Sequence, residues 1–201
     1  MQVHLTNANE VDFSPGTIGF SVHYPRILRE ALISKYQKMY NLHPGYLPWG
    51  RGYYPVFWAL WEGTPAGATL HEITAGIDEG AIVAQSQVVY DHSDTGGSLW
   101  YRVREAEKML FQTYWEKISS GHYPTAVSQI QGGTYHSKKE FFHLKKETDW
   151  RKMSGHDLMK LIRCLSFPGY SGLEILLENK RFAVHLESLT KEEFVNEKTD
   201  E

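Results

Sequence analysis

Asn41-Leu42-His43-Pro44-Gly45-Tyr46-Leu47-Pro48-Trp49-Gly50-Arg51-Gly52 is the stretch on which the reading of this chain turns. The residues before it, 38–42, form a short mostly apolar run that reads as a strand, and this strand ends in the stretch itself. In an extended segment residues i and i+2 point to the same face, so Asn41 and His43 converge on one side of the strand. The two prolines and the glycines that follow then fix the backbone. An amide donor for a developing oxyanion beside an imidazole base is the minimum equipment for acyl transfer. A second polar set follows. Thr69-Leu70-His71-Glu72 reads as the end of another short strand, and Asp78 lies in the segment Ala75-Gly76-Ile77-Asp78-Glu79-Gly80. Glycines two residues either side of Asp78 suggest a tight loop approached closely by other backbone. A carboxylate there can orient a histidine and stabilise its protonated form.

Working outward, alternating strands and helices predict an α/β fold. A buried strand covers residues 17–22, and Pro25 is placed to open a helix whose apolar stripe is Ile27, Leu28, Ala31 and Leu32. Residues 54–62 read as a helix that stops at Gly63. Strands are expected near 67–73 and 81–89, and a long helix over 98–119. In that helix Val103, Ala106, Leu110, Tyr114 and Ile118 recur at spacings of three and four, opposite Arg102, Glu105, Lys108, Gln112 and Glu116. The character changes beyond Gln131-Gly132-Gly133: residues 134–142 are mixed, 154–165 form an amphipathic helix, and two strands at 173–177 and 181–186 meet at a turn on Asn179-Lys180. Met1 to Pro15 reads as irregular, and the tail from Lys191 as frayed. The expected organisation is a catalytic core over 1–132 and a small α+β extension over 133–201, with the site at the C-terminal ends of a mostly parallel sheet.

Composition narrows the function classes. The chain has 201 residues, 41% apolar and 22% charged, which suits a globular protein. A net charge of -3 gives no electrostatic reason to expect nucleic acid. The single cysteine, Cys164, cannot close an internal disulfide, which points to a reducing cytosol. No apolar run approaches the ~20 residues that cross a bilayer, and the start lacks a signal-peptide pattern. Ten histidines raise the question of a metal, but none stands at a zinc-binding spacing and there is no thiolate cluster, so none is expected. Aromatics make up 13% of the chain; Phe141, Phe142, Trp150, Phe167 and Tyr170 suit an interface or a core equally.

The two polar segments, Asn41 to Gly52 and Gly67 to Gln85, resemble the formyltransferases that use N10-formyltetrahydrofolate. The family pattern is Asn-x-His-Pro-Ser-x-Leu-Pro-x-x-Arg-Gly, then Gly-Val-Thr-x-His, then Gly-x-Asp-x-Gly-x-Ile-x-x-Gln. This chain departs from it at Gly45, where Ser is usual, and at Ala68, where Val is usual. Leu47 to Gly52 and Phe57-Trp58 are most similar to the branch that formylates dTDP-linked amino sugars. The resemblance implies a Rossmann-like formyltransferase sheet with Asn41, His43 and Asp78 as catalytic residues. It places the pterin of the formyl-folate co-substrate against Ser21, Val22, His23, Tyr24, Ile27, Leu28 and Gly76. Trp49, Arg51 and His71 are candidates for the nucleotide-sugar side, Arg51 as a phosphate contact or as a salt bridge bracing its loop. Lys138 and Lys139 can meet a nucleotide or form a solvated charge run.

Members of the family usually carry a further strand and helix ahead of the segment that starts here at Gly16, so the resemblance implies a shortened core with one sheet edge exposed. It also implies a cytoplasmic homodimer serving polysaccharide or O-antigen synthesis. Three alternatives stay open from the sequence: formylation of methionyl-tRNA, hydrolysis of formyltetrahydrofolate, and an inactive binding module.

Overall fold

In the computed structural model, which describes residues 8–10 and 16–186, the described residues form thirteen helices and strands besides two short helical turns at Ala8–Glu10 and Trp150–Lys152. In chain order they are β1 (Gly16–Val22), α1 (Glu30–Ile33), β2 (Tyr36–His43), β3 (Arg51–Gly52), α2 (Pro55–Glu62), β4 (Ala66–Glu72), β5 (Ile82–Val88), α3 (Gly96–Ser119), β6 (Tyr135–His136), α4 (Lys138–Glu147), α5 (Gly155–Leu165), β7 (Leu173–Leu177) and β8 (Lys180–Val184).

The central sheet has the order β1-β2-β4-β5. β1 and β2 pair in parallel, with Ser21 beside Asn41. β2 and β4 pair antiparallel, which sets Asn41 opposite His71 and His43 opposite Thr69. Strand alternation then sorts the side chains by face. Tyr40, Leu42, Ala68 and Leu70 pack against Ala106, Leu110 and Ile118 of α3. Their chain neighbours Asn41, His43, Thr69 and His71 therefore line the opposite face. The apolar stripe read in the sequence thus decides where the polar set ends up. Each fully buried Leu of that stripe contributes roughly 1.5–3 kcal/mol.

A second core joins the remaining layers. Val56, Phe57, Trp58, Ala59 and Leu60 of α2 pack with Leu99 and Val103 of α3 and with Leu161, Ile162, Cys164 and Leu165 of α5. A helix apolar on every side belongs in an interior, and α2 is one. It starts at Pro55, after Tyr54 in the left-handed region (φ 59°), and stops at Gly63 (φ 74°). The loop before it is stapled to the later chain. Gly50 N–H donates to Thr134 Oγ1 (2.9 Å), and β3 pairs in parallel with β6. The Leu47–Pro48 peptide is cis.

The α/β architecture agrees with the sequence reading; several details differ. The sheet is mixed, with one parallel pair, because segment 73–81 between β4 and β5 is too short for a crossover helix and returns as an antiparallel neighbour. No helix starts at Pro25. Its carbonyl accepts from Tyr53 Oη (2.9 Å) and the Ile27 carbonyl accepts from Asn9 Nδ2 (2.9 Å). With these groups taken, only the single turn of α1 forms. Within 134–142 lies the start of a full helix, α4. Ser137 Oγ accepts from Glu140 N–H while the Glu140 carboxylate accepts from Ser137 N–H, a capping box at the start of α4. The β7–β8 turn sits on Glu178 and Asn179, both at positive φ, one residue earlier than expected. The tail from Lys191 lies outside the described residues.

Candidate active site

β2 delivers Asn41 and His43 to one face, and β4 adds His71 directly across from Asn41. Asp78 arrives from the loop between β4 and β5, itself in the left-handed region at φ 53°. That loop is tightly held. Gln129 Nε2 donates to the Asp78 carbonyl (2.7 Å) and to the Gly80 carbonyl (2.9 Å). At Gly80 a Cβ would stand 1.7 Å from the Glu72 carbonyl oxygen, the close approach that the glycine spacing suggests.

The Asp78 carboxylate is the hub. Oδ2 accepts from Gly52 N–H (2.9 Å) and lies 3.6 Å from His43 Nδ1. Oδ1 lies 3.5 Å from His71 Nε2 and 3.5 Å from Asn41 Nδ2. Burial opposes its charge, yet the adjoining His43 and His71 imidazoles and the Gly52 N–H outweigh burial. The carboxyl is held well below the usual carboxylate range.

His43 is buried at 4% exposure. Its Nε2–H donates to the Gly50 carbonyl (2.9 Å), which can only accept. The proton of the neutral ring is therefore on Nε2, and Nδ1 offers its lone pair beside Asp78. Burial pushes the imidazole below its ordinary value, and the Asp78 charge offsets only part of this. His43 is thus a neutral imidazole whose Nδ1 can accept a proton, with the Asp78 carboxylate placed to stabilise the imidazolium.

His71 Nδ1–H donates to the Glu72 carbonyl (2.8 Å), which leaves its Nε2 to accept from Asn41 Nδ2 (3.2 Å). That contact orients the Asn41 amide, whose other N–H makes only a long contact, 3.5 Å, to Asp78 Oδ1. Below this set, Thr69 Oγ donates to the Gly45 carbonyl (2.7 Å) and Gln85 Nε2 to the Leu47 carbonyl (2.7 Å). The loop 44–50 is seated by these two bonds.

The cluster opens into a cleft of about 580 Å³. Of the residues expected at the site, Ser21, His23, Tyr24, Ile27, Leu28, Asn41, His43, His71, Gly76 and Asp78 all line it. Val22, Trp49 and Arg51 do not. Val22 alternates to the other side of β1 and is about half exposed. Arg51 Nη1 donates to Glu79 Oε1 (3.2 Å), the bracing role that the sequence leaves open. Sequence reasoning passes over Tyr53, Tyr54 and Tyr170, which line the cleft together with Lys138. The tyrosine pair directly after Arg51-Gly52 is a signal that could have pointed there; Tyr170 has none. Among the described residues no cluster of acidic, histidine or cysteine side chains suits a metal ion, and no helix is long and apolar enough to cross a membrane.

Known proteins resemble this chain in sequence and in fold. Residues 15–114 match the Formyl transferase family model. The formyltransferase PseJ from Anoxybacillus kamchatkensis, solved in complex with UDP-4,6-dideoxy-4-formamido-L-AltNAc and tetrahydrofolate, is 31% identical, with 80% of this chain and 82% of that one covered and a TM-score of 0.61. A sugar N-formyltransferase from a Shewanella species superposes with a TM-score of 0.78 at 25% identity, covering 87% of this chain and 71% of the other. The dTDP-4-amino-4,6-dideoxyglucose formyltransferase of Mycobacterium tuberculosis is 34% identical over 122 residues, 60% of this chain. The chain spans about half (52%) of the length of that curated relative. This protein belongs to the formyl transferase family, and its fold is that of the sugar N-formyltransferases.

Proposed function

We propose that the protein transfers a formyl group from N10-formyltetrahydrofolate to the amine of a nucleotide-linked amino sugar, with dTDP as the nucleotide. The observation that carries this reading is the convergence of Asn41, His43 and Asp78, every contact to the Asp78 carboxylate within 3.6 Å, at one end of a large cleft. The formyl-folate supplies an activated one-carbon unit. The chain's residues suit it: the segments 23–28 and 73–77 line the cleft, with Pro25, Ile27, Leu28, Ile73 and Ile77 as its apolar part. Asn41 turns the N–H that makes the long Asp78 contact to the formyl oxygen instead, where negative charge develops. The amine nitrogen forms the new C–N bond and loses a proton, which His43 accepts at Nδ1. Asp78 stabilises the resulting imidazolium. The same proton is then available for N10 of the departing folate as its bond to the formyl carbon breaks. His71 acts through Asn41, by holding its amide.

In this reading residues 1–132 form the catalytic core, and the extension 133–201 furnishes Lys138 and Tyr170 to the acceptor end of the cleft. Tyr54 supplies an aromatic face and Lys138 a cation for phosphate, which suits a nucleotide diphosphate. Arg51 and Trp49 support the acceptor loop from outside the cleft. We place the protein in the cytosol as a homodimer serving surface-polysaccharide (O-antigen) synthesis, where activated sugars are consumed. The test is incubation with N10-formyltetrahydrofolate and dTDP-linked amino sugars, read by mass spectrometry. A formylated sugar supports the reading. Formate release that does not depend on the amine would instead mark a hydrolase.

A further inference from the structure

One buried charge has no part in the chemistry above. α3 presents Val103, Ala106 and Leu110 to the core, and Glu107 stands in the same stripe, at the position that helical periodicity gives to an apolar residue. Its side chain is 3% exposed. Both of its carboxylate oxygens lie 2.9 Å from His23 Nε2, whose N–H points between them. Arg104 Nη1 donates to Glu107 Oε2 (3.0 Å) and also touches His23 Nε2. His23 and Arg104 are about a third exposed, so the carboxylate alone is locked inside.

His23 lines the cleft and stands just past β1, where the irregular segment 23–29 begins. It is one of five described non-glycine residues at positive φ (50°), a region that side chains enter at some cost. The later part of the segment is pinned elsewhere, by Tyr53 Oη to the Pro25 carbonyl and by Asn9 Nδ2 to the Ile27 carbonyl.

We propose that Glu107 is a positioning residue for the folate co-substrate: by clamping His23 it fixes the cleft-facing wall 23–28 in its binding shape from behind the sheet. The inference rests on the formyl-folate reading. A charge kept inside an apolar stripe costs stability unless it does something there, and buried ion pairs replaced by apolar residues of similar size are often neutral or stabilising. The two roles therefore predict opposite outcomes for one substitution.

The experiment compares wild type, Glu107→Met, Glu107→Gln and His23→Gly for thermal midpoint, tetrahydrofolate binding by calorimetry, and steady-state kinetics. A clamp predicts that Glu107→Met melts at or near the wild-type temperature. It also predicts that this variant's Kd for tetrahydrofolate and KM for the formyl donor rise about tenfold or more. The KM for the amine and kcat stay near wild type. Glu107→Gln, which keeps an acceptor, recovers part of the affinity. His23→Gly tolerates the backbone conformation yet loses the bond, so it reproduces the donor effect even where Glu107→Met does not fold. Adding Glu107→Met to it then changes nothing further. Wild-type binding matched by both Glu107→Met and His23→Gly overturns the clamp and leaves the formyl-folate reading standing. A wild-type protein that binds no tetrahydrofolate overturns both.

Discussion

In the proposed chemistry His43 stands where two demands meet, since a base must be neutral and its conjugate acid must be tolerated. Burial satisfies the first by lowering the imidazole from its ordinary 6.5, and Asp78, 3.6 Å away, satisfies the second. The acidic limb of the kcat/KM profile is therefore expected to turn below pH 6.5; a turn at or above 6.5 would contradict burial as the ruling influence. The same shift bears on stability. The folded state binds fewer protons than the unfolded chain, so the contribution is full above about pH 6.5 and is lost as pH falls toward the folded value. Asp78, depressed from 3.8, adds a further loss on acidification below about 3.8. Gly45 offers a second test. A Cβ there would sit 2.5 Å from His43 Nε2 and 3.1 Å from the Gly50 carbonyl oxygen. Gly45→Ser, the residue the family pattern favours, is expected to push the ring off its Gly50 anchor. In a site tuned to within an ångström, that displacement costs about 100-fold in kcat. Unchanged kinetics would show that the loop yields instead.

At the scale of elements, β2 and β4 place their polar residues by alternation, and this much is legible in the sequence. Asn41 and His43 share a face because they are two apart, and the apolar partners Tyr40 and Leu42 settle which face. Asp78 is legible from the glycines around it. What fixes Asp78 is not legible, because Gln129 comes from a stretch without periodicity and reaches the loop only in three dimensions. Gln129→Ala is expected to lower stability by about 1–2 kcal/mol and to reduce kcat as the carboxylate loses its fixed place. Denaturant melts together with single-turnover rates check both. Segment 25–29 misleads for a related reason: its helix-compatible pattern is overruled by carbonyls captured by Asn9 and Tyr53. Lys138 reaches the cleft from well beyond the motif, placed by the β3–β6 pairing, which no local pattern announces, and by the Ser137-x-x-Glu140 cap, which one does; Tyr170 comes from the turn after α5.

At the scale of the molecule, the segment after Gly133 shares its core with α2 rather than standing apart. Leu161 of α5 is fully buried against α2 and α3. Leu161→Ala is expected to cost about 2–5 kcal/mol, and the shared core predicts a single unfolding transition shifted as a whole. Two separated transitions would mean that the extension melts independently of the catalytic core. The arrangement also explains how the cleft is assembled: one wall comes from the sheet and its loops, the other from side chains that α2 and α4 hold in place.

The central claim is that Asn41 and His43 transfer a formyl group under the control of Asp78. Its most direct test is mass spectrometry of the amino sugar after incubation with N10-formyltetrahydrofolate and the wild-type, Asn41→Ala or His43→Asn protein. The expectation is a formylated product with wild type, a rate lower by about 100- to 1,000-fold without the Asn41 donor, and one lower by about 100- to 10,000-fold without the His43 base. Formylation at the wild-type rate by either variant would contradict it.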